Sequence, residues 1–185
     1  GQDIYGATLG IIGMGRIGEA VAKRAKGFDM QILYSNRTRR PEAEEKLGAR
    51  YCSLEELLKQ SDFVCILTPY TPETKNLITK KELELMKPSA VLINTARGGI
   101  VKEDDLYEAL VQGKIWAAGL DVFEQEPLPT DHPLLSLSNV VALPHIGSAS
   151  IKTRHEIARL AAVNLINVLK GQRPPHCVNP EVLNN

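Results

Sequence analysis

The sequence predicts an α/β domain built on a doubly wound parallel sheet, and three observations in its 185 residues carry that expectation. Strand-like and helix-like segments alternate along the chain, the pattern of a parallel sheet with crossover helices. The strand-like runs are apolar throughout, as strands buried on both faces are. The first of them stops at a glycine-rich turn that opens a helix.

Thr8–Ile12 is a short apolar run ending at Gly13. Arg16–Phe28 then places Ile17, Ala20, Val21, Arg24 and Ala25 at helical spacing. Met30–Tyr34 reads as a strand. Ser53–Gln60 reads as a helix with Ser53 as N-cap and Glu56 three residues on, a capping box. Phe63–Leu67 is a buried strand ended by Thr68-Pro69, and Thr79–Met86 is helical with Pro88 beyond its end. Ala90–Asn94 is a further buried strand. Lys102–Gln112 forms an amphipathic helix closed by Gly113. Ile115–Leu120 and Val140–Leu143 complete a set of six or seven strands, and Ser150–Lys170 is a long helix stopped by Gly171. Asp121–Ser138, with Pro127, Pro129 and Pro133, has no periodicity, and a loop of that length in a compact domain is usually functional.

Lys+Arg and Asp+Glu both number 22, so the formal net charge is zero. That balance argues against a nucleic-acid partner and against a polybasic membrane-surface protein. The hydrophobic fraction of 43% and charged fraction of 24% argue against wholesale disorder. The longest apolar runs, such as Ala90–Ile93, are strand-sized, so no membrane partner is expected. Cys52, Cys65 and Cys177 form no CxxC pair, so no metal site is expected and a reduced, cytoplasmic setting fits. Cys65, inside Phe63–Leu67, reads as a small buried hydrophobe.

Gly13-Met14-Gly15-Arg16-Ile17-Gly18 matches G-x-G-x-x-G between a strand and a helix, the context of a Rossmann-type dinucleotide-binding turn. Gly13 permits the tight turn, Gly15 lets the backbone approach a pyrophosphate, and Gly18 allows close packing. About 20 residues on, an NAD-selective domain carries an acid for the ribose hydroxyls. Here that region reads Ser35-Asn36-Arg37-Thr38-Arg39-Arg40, with Asn36 roughly in the acid's place. An amide does not repel a 2′-phosphate, and Arg37, Arg39 or Arg40 can pair with one. The expected cofactor is NADP in preference to NAD, with use of both allowed.

Ligands of an open α/β sheet bind beyond the carboxyl ends of its strands. Arg97 follows Ala90–Asn94, Asp121 caps Ile115–Leu120, and His145 follows Val140–Leu143. An arginine can grip a carboxylate bidentately and polarise the adjacent carbonyl. A histidine can protonate a carbonyl oxygen as hydride arrives. A carboxylate partner would fix the histidine's tautomer, and Glu124 and Glu126 are both in the long loop. His132 reads as a turn residue, His155 as part of a solvated helix face, and His176 lies in the proline-rich tail.

Five motifs in order extend the reading: Gly10–Gly18, Leu92-Ile93-Asn94-Thr95-Ala96-Arg97-Gly98-Gly99, Gly119-Leu120-Asp121-Val122-Phe123, Glu126-Pro127-Leu128 and Pro144-His145-Ile146-Gly147-Ser148. With them the chain resembles the D-isomer-specific 2-hydroxyacid dehydrogenase family, over roughly residues 3–180. Within it, the loop Pro127–Leu134 and the missing acid at Asn36 resemble the glyoxylate/hydroxypyruvate reductase and 2-ketogluconate reductase group. The resemblance implies a catalytic trio of Arg97, Glu126 and His145, and so favours Glu126 over Glu124. It implies that Arg16 and Ile17 donate backbone N–H groups to the pyrophosphate, that Thr68 and Pro69 line the adenosine side, and that Asp121 and the backbone near Thr95 hold the nicotinamide carboxamide. Ala96, Gly147 and His145 itself also count among the cofactor positions, and Ser148 is placed near substrate or nicotinamide.

The activity implied is NAD(P)H-dependent reduction of a small 2-oxo acid (glyoxylate, hydroxypyruvate or 2-ketogluconate) to the D-2-hydroxy acid, by a homodimer. Family members have two domains, the nucleotide domain being inserted into a discontinuous substrate domain. Residues 1–171 therefore read as the nucleotide domain. Residues 172–185 read as an arm returning toward a substrate domain absent from this chain, so the isolated piece is expected to bind cofactor without turning over. The same resemblance reaches dinucleotide-sensing corepressors, the C-terminal-binding proteins, and phosphoglycerate dehydrogenase-type enzymes.

Overall fold

The computed structural model describes residues 1–184; Asn185, the last residue of the expected arm, lies outside the described residues. Seven strands form one sheet: β1 (Thr8–Ile12), β2 (Gln31–Ser35), β3 (Arg50–Tyr51), β4 (Phe63–Ile66), β5 (Val91–Asn94), β6 (Ala117–Leu120) and β7 (Val140–Ala142). All neighbours run parallel, in the order β3-β2-β1-β4-β5-β6-β7. The order reverses between β1 and β4, and that reversal opens a crevice beyond the strand ends.

Among the described residues six α-helices connect and follow the strands: α1 (Arg16–Ala25), α2 (Pro41–Leu47), α3 (Leu54–Gln60), α4 (Lys80–Leu83), α5 (Glu103–Val111) and α6 (Ile151–Leu169). Side chains alternate between the two faces of each strand. Leu9 and Ile11 of β1 therefore join one core with Ala22, Ala25, Ala43 and Leu47 from α1 and α2. Ile12 joins the other, with Leu57, Leu58, Leu83, Leu106 and Leu110 from α3, α4 and α5. Gly10 is where α3 comes closest to the sheet, because a Cβ there would overlap Ser61 and Leu57.

The predicted strands and long helices are present, with ends shifted by a few residues. An α-helix and a strand go beyond the expectation. Pro41 at the first helical position and the left-handed Gly48 (φ 68°) bound α2, a start and a stop that Pro-Glu-Ala-Glu-Glu-Lys-Leu does carry. β3 has two residues, too few for any period. The predicted capping box at Ser53 forms by half. Ser53 accepts from the Glu56 amide at 3.1 Å, but the Glu56 carboxylate goes to Arg50 at 2.6 Å and accepts from Gln60. A guanidinium outcompetes a backbone amide for that acid. The full box is at Thr79 and Glu82, where the Thr79 amide donates to the carboxylate at 3.1 Å.

The chain divides into two compact units after His145. The first holds the whole sheet, α1 to α5, and the long loop, within which Pro133–Ser136 is a short 3-10 helix. The second begins at Ile146 and holds α6, whose N-cap Ser150 accepts from the Thr153 amide at 3.2 Å. Gly171 (φ 68°) ends α6, and the His176 amide donates to the Asn164 side chain at 3.1 Å, which ties the start of the tail to that helix. Among the described residues no helix is long and apolar enough to cross a membrane.

Candidate active site

Sheet register brings the predicted residues to one level. Ile12 pairs with Ile66, Ile66 with Asn94, Asn94 with Leu120, and Leu120 with Ala142. The residues that follow, Gly13, Leu67, Thr95, Asp121 and Leu143, must therefore leave the sheet along the same edge. A cavity of about 880 Å3 opens there, lined by Ile17, Thr68, Pro69, Thr95, Ala96, Arg97, Glu126 and His145, all expected site residues. Leu67, Tyr70, Gly98 and Phe123, which were not among the expected site residues, complete its wall with Glu124, the carboxylate weighed beside Glu126.

The three glycines of the turn do different things. A Cβ on Gly13 (φ 105°) would stand 2.6 Å from the Thr68 amide nitrogen, so this glycine lets the turn touch the end of β4. A Cβ on Gly18 would stand 2.5 Å from the Gly13 carbonyl oxygen, so Gly18 closes the turn on itself. A Cβ on Gly15 would meet nothing within 4 Å. Gly15 is the N-cap of α1 and has no side chain to cap it, which leaves the first amides of that helix, at Arg16 and Ile17, facing outward. Open space at the positive end of a helix suits an anion, and the pyrophosphate of a dinucleotide fits it.

Asn36 holds this turn. Its Oδ1 accepts from the Met14 amide at 2.6 Å, and its Nδ2 donates to the Met14 carbonyl at 3.3 Å. The Ser35 carbonyl accepts from the Gly13 amide at 3.1 Å. Of the three arginines beyond, Arg39 forms two bonds to Glu44, at 2.7 and 2.8 Å, and Arg40 pairs with Glu19 at 2.9 Å. Arg39 and then the Tyr34 hydroxyl hold the Glu44 carboxyl down at about 2. Arg37 and Thr38 are exposed. The Glu73 carboxyl is lowered first by the Thr71 hydroxyl and more weakly by Arg37.

On the other side of the cavity, Asn94 shapes the arginine-bearing turn. It is 2% exposed, accepts from the Ala96 amide at 3.1 Å, and donates to the Arg97 carbonyl at 3.0 Å. The Arg97 guanidinium stays exposed and lines the cavity. Gly98 meets the long loop so closely that a Cβ would overlap the Phe123 carbonyl. Gly99 has φ 75°, and the Tyr70 ring lies over it, 3.1 Å from where a Cβ would stand. Asp121 is buried at the end of β6, its amide donating to the Asn94 carbonyl at 3.0 Å.

His145 Nδ1 stands 2.7 Å from Glu126 Oε2. An ionised carboxylate only accepts, so in the neutral ring Nδ1 carries the proton and Nε2 does not. The other oxygen, Oε1, accepts from the Phe123 amide at 3.0 Å. The His145 bond and then the Phe123 amide hold the Glu126 carboxyl below the ordinary range, with a weaker contribution from Arg97. Glu124 has another role, because its amide donates to Glu103 at 2.6 Å and its carboxylate accepts from the Glu103 amide at 3.3 Å. His145 has φ 52°, the left-handed region, a modest strain of the kind that functional sites keep. Gly147 and Ser148 belong to the second unit, where both are exposed.

The signals for Asn94 and Gly98 were present in the motif that contains Arg97. Those for Tyr70 and Glu103 were not, since each acts through a contact between distant segments.

Residues 1–147 match the NAD-binding domain of the D-isomer specific 2-hydroxyacid dehydrogenases. Glyoxylate/hydroxypyruvate reductase B of Enterobacter sp. (strain 638) is 58% identical over 98% of the chain and 56% of its own length. The crystal structure of the TT0316 protein from Thermus thermophilus superposes with a TM-score of 0.90 at 50% identity, over 96% of the chain and 55% of that protein. D-lactate dehydrogenase with NAD+ from Lactobacillus jensenii superposes with a TM-score of 0.87 at 31% identity, over 96% of the chain and 57% of the enzyme. The chain thus spans a little over half the length of these relatives. With the glycine turn, the Arg97 turn and the Glu126–His145 pair on one sheet edge, and with this match over most of its length, the chain belongs to the D-isomer specific 2-hydroxyacid dehydrogenase family.

Proposed function

We propose that the chain is the nucleotide-binding part of an NAD(P)H-dependent reductase that converts a small 2-oxo acid, glyoxylate or hydroxypyruvate in the first place, to the D-2-hydroxy acid. The observation that carries this reading is the Glu126–His145 pair facing the same cavity as Arg97. Bound nicotinamide would supply the hydride. Gly15 and the first amides of α1 would hold the pyrophosphate, Thr68 and Pro69 the adenosine side, and Thr95, Ala96 and Asp121 the nicotinamide end.

Arg97 would bind the substrate carboxylate and stabilise charge developing on the oxo oxygen. His145, doubly protonated, would give its Nε2 proton to that oxygen and be left as the neutral ring, with its Nδ1–H still held by Glu126. Residues 1–171 would form the nucleotide domain and the tail an arm toward a substrate domain, within a cytoplasmic homodimer. Turnover by the full-length protein with a panel of 2-oxo acids tests the reading. No oxidation of NAD(P)H with any of them, despite tight cofactor binding, would leave a dinucleotide-sensing module instead.

NADP is proposed as the preferred cofactor. Arg39 and Arg40 are already paired with Glu44 and Glu19, which leaves Arg37 as the cation for a 2′-phosphate. Arg37→Ala is expected to weaken NADPH about 10-fold, the order of one charge-assisted hydrogen bond, and to leave NADH unchanged. Nicotinamide fluorescence titration measures both, and equal losses for the two nucleotides would overturn the assignment.

A further inference from the structure

Behind the cavity lies a side-chain cluster to which neither the motifs nor the proposed chemistry assigns a role. Glu103 opens α5 and its side chain is 12% exposed. One oxygen accepts from the Glu124 amide at 2.6 Å, and the other meets His132 Nε2 at 3.2 Å. His132 Nδ1 accepts from the Leu134 amide at 3.3 Å, so the proton of the neutral ring is on Nε2 and is donated to Glu103. The same imidazole stands edge-on to Phe123, with ring centroids 6.4 Å apart.

These contacts converge on one peptide unit, the bond between Phe123 and Glu124. Its N–H is taken by Glu103, and its carbonyl lies against Gly98, next to Arg97. The preceding amide, that of Phe123, donates to Glu126 Oε1, and Glu126 Oε2 reaches His145. Phe123 carries both links, its amide on Glu126 and its carbonyl against Gly98, so a displacement of Phe123 once the Glu124 amide is released would disturb the Glu126 contact and the Arg97 turn together. We propose that Glu103, steadied by His132, is a positioning residue that sets the Glu126–His145 pair and Arg97 in register with one another.

The inference rests on the function proposed above only for its kinetic consequence. Its direct test concerns the pair itself. The charged groups facing Glu126 are His145, in contact, and Arg97 across the cavity, with the Glu103 and Glu124 carboxylates behind the peptide. A carboxyl depressed by its donors stays ionised until pH falls through the lowered value, and losing the Phe123 amide moves that point upward.

In the 185-residue chain, carbon-13 titration of the Glu126 carboxyl is expected to show this upward shift in Glu103→Ala. A smaller shift is expected in Glu103→Gln, which keeps an oxygen for the Glu124 amide but turns its NH2 toward the His132 Nε2–H. Glu103→Asp keeps a charge at the start of α5 but withdraws its oxygens by one methylene, so it shifts the same way and decides the matter if the alanine variant does not fold. An unmoved midpoint in a folded alanine or aspartate variant overturns the inference, as does an equal shift in all three.

In the full-length protein, the acid limb of kcat should rise with the Glu126 midpoint, and kcat should fall about 10- to 100-fold with KM for NADPH unchanged. Should the unsubstituted full-length protein reduce no 2-oxo acid, the proposed function fails while the titration still decides the role of Glu103.

Discussion

His145→Asn in the full-length protein is expected to lower kcat for 2-oxo-acid reduction by about 10²–10⁴-fold, the usual contribution of a positioned general acid. Asparagine is the informative replacement, because it tolerates the left-handed backbone (φ 52°) that alanine accepts only with strain. It can still donate to Glu126, so the loop keeps a partner. What disappears is Nε2, the nitrogen from which the proton would be transferred. Thermal unfolding should therefore stay close to that of the unsubstituted protein while turnover collapses. A variant with more than a tenth of the original kcat would remove His145 from the acid's role. Glu126→Gln should be milder, since the imidazole remains but loses the anion that fixes its tautomer.

A pair of glycine substitutions should separate packing from binding. Gly98→Ala puts a methyl into the Phe123 carbonyl, where both neighbours are backbone and neither can swing aside. Overpacking of that kind costs about 3 kcal/mol or more. For a domain of this size that corresponds to a drop of roughly 6–12 °C in melting temperature. Gly15→Ala should behave in the opposite way. Its backbone angles (φ −102°, ψ −160°) suit any residue, and a Cβ there meets nothing. Because alanine is a poorer N-cap than glycine, stability should fall, but by no more than about 1 kcal/mol. Affinity for NADPH and NADH alike should fall at least about 10-fold, because the methyl occupies the space that a pyrophosphate needs. Calorimetry and nucleotide fluorescence read the two effects. A Gly15→Ala chain that binds nucleotide normally would mean that the turn does not hold the phosphates.

The architecture was readable in advance because it rests on local and repetitive signals. Apolar runs, glycine stops and helical spacing act within a few residues, and six of the seven strands announce themselves in this way. β3 did not, since two residues carry no period. The alignment of Gly13, Thr95 and Asp121 on one edge follows from pair register, which depends on hydrogen bonds between segments far apart in sequence. Glu56 shows how a local rule is overridden: Arg50, from the strand before it, takes the carboxylate that the capping box would use. His132 read as a turn residue, and it is one, since it caps the 3-10 helix beginning at Pro133. Its second nitrogen reaches Glu103 across 29 positions of chain, and no periodicity reports such a contact.

The Asn36 amide has a consequence for anyone wishing to redesign nucleotide choice. The obvious exchange, Asn36→Asp, would restore the acid associated with NAD. The present side chain, however, meets Met14 with an acceptor at the N–H and a donor at the carbonyl. An aspartate can repeat only the first of these, and its second oxygen would face the Met14 carbonyl oxygen. The glycine turn would loosen along with any change in nucleotide choice, so the two would not be tuned separately at this position. A swap placed one residue later, at Arg37, leaves that lock intact.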